Sequence, residues 1–214
     1  MFDWIKIEGA ESKFKNASLL DVGCDTGNLL LWAQEQGAAR TVGLDVSVRA
    51  FDAAKECGLE VYLSDVTSSP EELGNFDIVT AVDVVEHVSD PVTFLRGIRR
   101  HLVPGGFCYM ETPNSNSVVY QLGRIISNLT NGRPAFAFYR LFPPQHAQYF
   151  SEQAIKQMAA EGGFSTCKIW KKPLHISHIS LPWPIRLIMY CLQLLDKIRD
   201  QGLLYCIAIE SAAE

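Results

Sequence analysis

The sequence predicts an α/β fold in which a largely parallel sheet is covered by helices on both faces. Three observations carry it: short runs rich in Val, Ile and Leu recur along the chain, segments of helical period separate them, and a glycine turn joins the first run to the first helical segment. Strands are expected at SLLDVG (18–23), TVGLDV (41–46), LEVYLSD (59–65), FDIVTAVD (76–83), GFCYMETP (106–113), FSTCKIWKK (164–172) and LLYCIAIES (203–211). Between them Gly37 closes the first helix, Ser47 caps the second, and Ser69-Pro70 opens a third with Pro at its first helical position. Asp90-Pro91 opens a fourth, in which Phe94, Leu95, Ile98 and Leu102 make the apolar face and Arg96, Arg99 and Arg100 a solvated one. Ser151 starts another helix, with Ile155, Met158 and Ala159 inward, that Gly162-Gly163 stops.

Two segments break the alternation. Residues 114–147 form a long connection after the fifth strand, and long connections in compact domains are usually functional covers, so a lid is expected there. Residues 179–195 (ISLPWPIRLIMYCLQLL) are very apolar but hold two prolines and Arg186, and are short of the roughly 20 residues of a bilayer span. They read as a core or substrate-facing helix, with a membrane-surface or partner contact as the alternative.

The 214 residues, 48% hydrophobic with mean hydropathy +0.05, suffice for one substantial core, and a single domain over residues 1–214 is expected. A net charge of −5 and a pI near 5.6 disfavour nucleic acid as a partner and favour a small molecule. The six cysteines (Cys24, Cys57, Cys108, Cys167, Cys191, Cys206) form no CxxC pair and read as reduced packing residues of a cytoplasmic protein. MFDWIKIEGAESK lacks the basic flank and apolar run of a signal peptide, so export is not expected.

The chemistry starts at LLDVGCDTGNLL, residues 19–30. In open parallel sheets ligands bind beyond the carboxyl ends of the strands, near the first one. Gly23 and Gly27 permit unusual backbone angles and close ligand approach. Asp45, ending the second strand, stands close to the spacing of about 20 residues at which an acid grips ribose hydroxyls. A dinucleotide and S-adenosylmethionine (SAM) both fit to this point.

Asp25 separates them. A dinucleotide brings its diphosphate to this turn, where a carboxylate at ~5 Å opposes each negative charge by about 3 kcal/mol at an effective dielectric of 20. SAM brings a sulfonium and an ammonium beside one carboxylate, so acids at Asp21 and Asp25 are tolerated. The G-x-G-x-x-G pattern is also absent, because Asp25 and Asn28 hold its second and third glycine positions. Aspartate enters left-handed backbone more readily than most residues, which suits a tight turn.

With LLDVGCDTG, VGLDVS, LSDV, FDIVTAVDVVEHVSDP, LVPGGFCYMETPN and QHAQYFS followed by EGGF, residues 18–170 resemble the class I SAM-dependent methyltransferases, in the group that includes the ubiquinone-biosynthesis O-methyltransferases. The resemblance implies a Rossmann-like, seven-stranded mixed sheet of order 3-2-1-4-5-7-6 with the last strand antiparallel. It implies a cofactor-binding set of Asp21, Gly23, Cys24, Asp25, Gly27, Asp45, Val46, Asp65, Val66 and Asp83. Within it Asp21, Gly23 and Gly27 would line the methionine part, Asp45 would hold the ribose, Asp65 with Val66 would meet the adenine, and Asp83 would lie near the reacting methyl. The family usually has glycine where Asp25 stands. Relatives often cover the pocket with helices ahead of the first strand, a task expected here of residues 114–147.

Methyl transfer is an in-line displacement needing alignment and, for a hydroxyl acceptor, removal of a proton. If Asp83, Glu86 and His87 curl off the fourth strand in one turn they can converge, and His146 is placed near that side by the family pattern. The catalytic set is therefore His87, Glu86 and His146. Some relatives resemble this chain here with an ExxEH metal motif, so Asp83, Glu86, His87 and His146 are also the candidate ligands of a divalent ion; the alternatives are hydrogen bonding at the strand end and a metal-free His87 base. Asp65 has a second reading as the cap of its own turn. Phe136, Phe138, Tyr139 and Phe142 read as a packed cluster or a substrate wall, and His175 and His178 as surface or core residues.

The expected function is methyl transfer from SAM to a hydroxyl of a small molecule, such as a sugar, a quinone precursor or a lipid-linked metabolite. A SAM-binding protein without turnover is the alternative. A nicotinamide-dependent reductase ranks below both, lacking the dinucleotide glycines and a YxxxK pair.

Overall fold

The computed structural model describes residues 11–131, 145–172, 183–199, 201–202 and 204–210. Among these, seven strands form one sheet: β1 (Ser18–Val22), β2 (Arg40–Asp45), β3 (Glu60–Leu63), β4 (Phe76–Val82), β5 (Leu102–Pro113), β6 (Thr166–Lys172) and β7 (Leu204–Glu210). Their order is β3-β2-β1-β4-β5-β7-β6, as the sequence resemblance implied. The first five are parallel, and β7 runs antiparallel to both β5 and β6.

Alternation along the strands builds two cores. Leu19 and Ile78 pack with Phe14, Leu29, Leu30 and Ala33 on one face. Their neighbours Leu20 and Val79 pack with Phe94, Leu95 and Ile98 on the other, so both faces are covered and the strands read as continuous apolar runs. The helices are α1 (Glu11–Phe14), α2 (Asn28–Glu35), α3 (Val48–Glu56), α4 (Pro91–Arg100), α5 (Val118–Thr130), α6 (Glu152–Glu161) and α7 (Trp183–Ile198).

Their ends follow the sequence signals. Ser47 Oγ accepts from Ala50 N, Asp90 accepts from the amides of Val92 and Thr93 with Pro91 leading α4, and Ser151 Oγ accepts from Ala154 N. Gly37 and Gly163 turn the chain at positive φ after α2 and α6. Ser69-Pro70 departs from expectation, opening only a 3-10 turn over Glu71–Leu73. Gly74, at φ 78°, stops it two residues before β4, leaving no room for an α-helical turn.

Other expectations are refined or corrected. Arg96 and Arg100 are exposed and Arg99 half-buried, on the solvated side as expected, but each also makes a bond: Arg96 donates to Glu161 O at 3.3 Å, Arg99 to Gly163 O at 2.6 Å and Arg100 to Val66 O at 3.3 Å, binding α4 to the end of α6 and the turn after β3. Cys57 and Cys191 are exposed, so they are not packing residues. The long connection contains a regular helix, α5, held at its start by Asp196 Oδ1, which accepts from Val118 N at 2.6 Å. The aromatic cluster at 136–142 and the pair His175 and His178 lie outside the described residues. Among the described residues no helix is long and apolar enough to cross a membrane.

Gly97 seats α4 on the sheet edge. A β-carbon there would stand 2.8 Å from Val66 O, a backbone atom that cannot step aside. Gly97→Ala is therefore expected to destabilise the fold by about 1–3 kcal/mol. A urea melt checks it, and an unchanged midpoint would show that the helix seats more loosely than its geometry indicates.

Candidate active site

The carboxyl ends of β1, β2 and β4 frame the site. Asp21 pairs across the sheet with Gly43 and Thr80, which sets it near the sheet's middle. Beyond Val22 the chain turns through Gly23, Asp25 and Gly27, all at positive φ (76°, 45° and 81°), before α2 begins. Asp25 does adopt the left-handed conformation that aspartate tolerates.

The amides of this turn are already used. Gly23 N and Cys24 N donate to Leu44 O at 2.7 and 3.1 Å, and Asp25 N donates to Asp45 Oδ2 at 2.9 Å. Asp45 Oδ1 accepts in turn from Ser47 N at 2.8 Å. These donors are thus not aimed outward as an anion cradle, which a diphosphate would require. The glycines serve packing as well as conformation. A β-carbon on Gly23 would lie 2.5 Å from Val84 Cγ2, and one on Gly27 2.2 Å from Leu59 Cδ1, so the close approach comes from the protein's own side chains.

Two cavities meet at Gly23. The first, about 470 Å³, is lined by Asp45, Val46, Asp65, Val66, Val84 and His87 among others, a size within the range of small-molecule sites. The second, about 330 Å³, is lined by Asp21, Cys24, Asp25, Asp83, Glu111 and Lys172 among others. All the expected cofactor residues except Gly27 therefore border one cavity or the other. Asp65 lines the first while its carboxylate accepts from Thr67 N at 2.7 Å and Ser68 Oγ at 2.8 Å, so it caps its own turn too. The hydroxyl and amide of Thr67 hold its pKa low, with Ser68 helping.

The second cavity is rich in acid. Asp21 is buried, and desolvation pushes its carboxyl up to about 7 despite a 2.7 Å bond from Thr80 Oγ1, with Asp45 adding repulsion. Desolvation raises Asp83 as well, helped by Glu111. Burial, then the charges of Asp21 and Asp45, push the Cys24 thiol up to about 12. Glu111 and Lys172 were missed by sequence reasoning: Lys172 Nζ meets Glu111 Oε1 at 2.5 Å, and Tyr109 OH donates to the same oxygen at 2.6 Å. Glu111 lies within the LVPGGFCYMETPN stretch and Lys172 on a strand with no motif; only the pairing of β5 and β6 through β7 brings them together.

After β4 the chain curls through Asp83, at φ 54°, into a 3-10 turn over Val85–His87. Asp83, Glu86 and His87 do not converge as a trio, because this turn aims them apart. Asp83 faces the second cavity and His87 the first. Glu86 points inward, 1% exposed, where Thr112 Oγ1 donates to Oε2 at 3.0 Å and burial raises its carboxyl to about 7.

His146 completes a different cluster. Ligand-capable atoms of Glu86, His87 and His146 lie within 4.8 Å of one another. Gln145 O is 2.9 Å from His87 Nδ1, and the amides of Ala147 and Gln148 donate to Glu86 O at 2.8 and 3.1 Å, which fastens residues 145–148 to the turn. The His87 and His146 rings meet edge to face at 4.8 Å, and Tyr149 stands 5.4 Å beyond His146. Glu86 Oε1 and His146 Nδ1 are buried without a hydrogen-bond partner among the described residues. Burial, then His87, lowers the His146 pKa and favours neutral imidazole.

A sequence profile described as a methyltransferase domain matches residues 2–168. The chain belongs to this family. It is a class I methyltransferase. It is 26% identical over 175 residues to the ubiquinone biosynthesis O-methyltransferase of Colwellia psychrerythraea, covering 74% of this chain and 69% of that one. It is 34% identical over 110 residues to the protein of the same name from Pseudomonas paraeruginosa, covering 48% of this chain and 47% of the relative, so that match spans about half the relative's length. In structure it resembles a SAM-dependent methyltransferase from Archaeoglobus fulgidus, with a TM-score of 0.64 at 20% identity, over 96% of this chain and 91% of that one. That likeness supports the fold.

The raised carboxyls make the methyltransferase's stability pH-dependent. Asp21 and Glu86 fold most favourably when protonated, so their contribution is complete below about pH 4 and is lost as pH rises through about 7. Urea unfolding of the ligand-free protein at pH 5 and pH 8 is expected to show wild type losing on the order of 2 kcal/mol more than Asp21→Asn. Equal losses would mean that Asp21 is ionised throughout.

Proposed function

We propose that this methyltransferase transfers a methyl group from SAM to a hydroxyl of a small-molecule acceptor. The observation that carries the reading is the Glu86, His87 and His146 cluster, with two unpartnered buried polar atoms, beside the two cavities at the glycine turn. Adenosine would occupy the first cavity, with Asp45 against the ribose and Asp65 and Val66 against the base. The methionyl end would occupy the second, where Asp21, Asp25 and Asp83 offset the ammonium and sulfonium. His146, held neutral, takes the acceptor proton as the oxygen attacks the methyl carbon and the carbon–sulfur bond breaks. Tyr149 and Tyr120, whose rings stand 5.5 Å apart, flank the acceptor. The names of the relatives support oxygen as the atom methylated.

A second reading has a specific observation behind it. One carboxylate and two imidazoles within 4.8 Å, with Glu86 Oε1 and His146 Nδ1 unpartnered, fit a divalent ion. When bound there it would supply Lewis acidity that lowers the acceptor hydroxyl's pKa. Glu86, His87 and His146 would be its ligands; Asp83 falls outside the cluster.

Calorimetry is expected to show saturable SAM binding and none of NADPH. Asp45→Ala should weaken SAM by about 1.5–3 kcal/mol, the worth of a charged hydrogen bond; unchanged affinity would remove Asp45 from the ribose site. His146→Ala should lower kcat by about 100-fold or more while SAM affinity holds, and full turnover in that variant would end the general-base role. Chelator should leave SAM binding intact, and abolish turnover only under the metal reading.

A further inference from the structure

We propose that the outer face of α7, with the adjoining α5, docks on the surface of an anionic lipid bilayer. Trp183, Leu187, Tyr190, Leu194 and Ile198 recur at spacings of four, three, four and four residues, which puts them on one stripe of the helix. Their exposures run from 51% to 78%. The helix cannot roll this stripe inward, because Asp196, 2% exposed, is committed to the opposite side by its bond to Val118 N. α5 packs against α7 and adds Ile125 and Leu129, 54% and 81% exposed. Exposed apolar stripes of this extent mark interaction surfaces on soluble proteins.

Charge identifies the occupant. The chain carries a net −5, yet among the described residues of α5, α7 and Arg199 the single acid is the buried Asp196. The charges left exposed are cationic, at Arg124, Lys197 and Arg199; Asp200 follows, outside the described residues. An apolar stripe with basic residues at its border and Trp at one end is the pattern of a helix lying in a bilayer interface. α7 has 16 residues, too few to span.

The face also adjoins the acceptor side. Tyr120 and Arg124 of α5 line a cavity of about 90 Å³ with Ser115 and Tyr149, and Tyr149 contacts His146. Docking by this face brings the acceptor entrance toward the lipid headgroups, where an amphiphilic acceptor concentrates.

Co-sedimentation of the full chain with phosphatidylcholine vesicles, with and without phosphatidylglycerol, tests this. Binding is expected only with the anionic lipid and should weaken as salt rises. Leu187→Asp with Leu194→Asp should lower it at least tenfold. Lys197→Gln with Arg199→Gln should lower it by roughly fivefold for each charge removed. Calorimetry with SAM, unaffected in all variants, reports that the fold is intact and keeps this outcome separate from the catalytic reading. Absence of vesicle binding by wild type, or equal binding by both double variants, overturns the proposal. So does a concentration-dependent dimer, lost in the leucine variant, without vesicle binding.

Discussion

The bond from Asp25 N–H to the Asp45 carboxylate holds the site together. Asp45 ends β2, and its two oxygens tie the turn after β1 to the start of α3. Two loops from neighbouring strands are thereby locked by one side chain, with Asp25 in a left-handed conformation that few residues other than glycine accept. An aspartate can interrupt the glycines because the position demands a left-handed backbone angle, which aspartate tolerates. The bond also takes an amide that a phosphate would otherwise use.

Around that frame the charges are unbalanced. Asp21, Asp25, Asp83 and Glu111 border one cavity, and Lys172 is the single base among its lining residues. Desolvation raises Asp21 and Asp83, with repulsion from Asp45 and from Glu111 respectively, so protonation relieves both. A positively charged ligand offers the other route to relief. Under the proposed function this acidic lining suits a sulfonium compound better than a phosphorylated one.

Much of the fold was legible because the signals were local. Strand runs of Val, Ile and Leu, caps at Ser47, Asp90 and Ser151, and glycines after α2 and α6 each act within a few residues. Ser69-Pro70 misled because the stop signal at Gly74 came too soon for a helix to form. The two cavities at the glycine turn were readable from the turn and Asp45, whose spacing is short-range. The grouping of Glu86, His87 and His146 was readable too, through the resemblance that set His146 near that side. The Glu111–Lys172 pair was not, because it comes together only through strand pairing across the sheet. Nor could periodicity tell that the DVVEH turn would aim Asp83 away from Glu86, since that depends on a left-handed residue at Asp83.

The clamp between residues 145–148 and the Glu86 turn has an evolutionary corollary. Asp196 secures one end of the connection at Val118, and the carbonyl of Glu86 secures the other. Chain length between the end of α5 and Gln145 can change without moving either anchor, because loop closure costs little once both ends are fixed. Descendants of such a scaffold can acquire new acceptors by swapping a cassette while inheriting the same methyl-donor machinery.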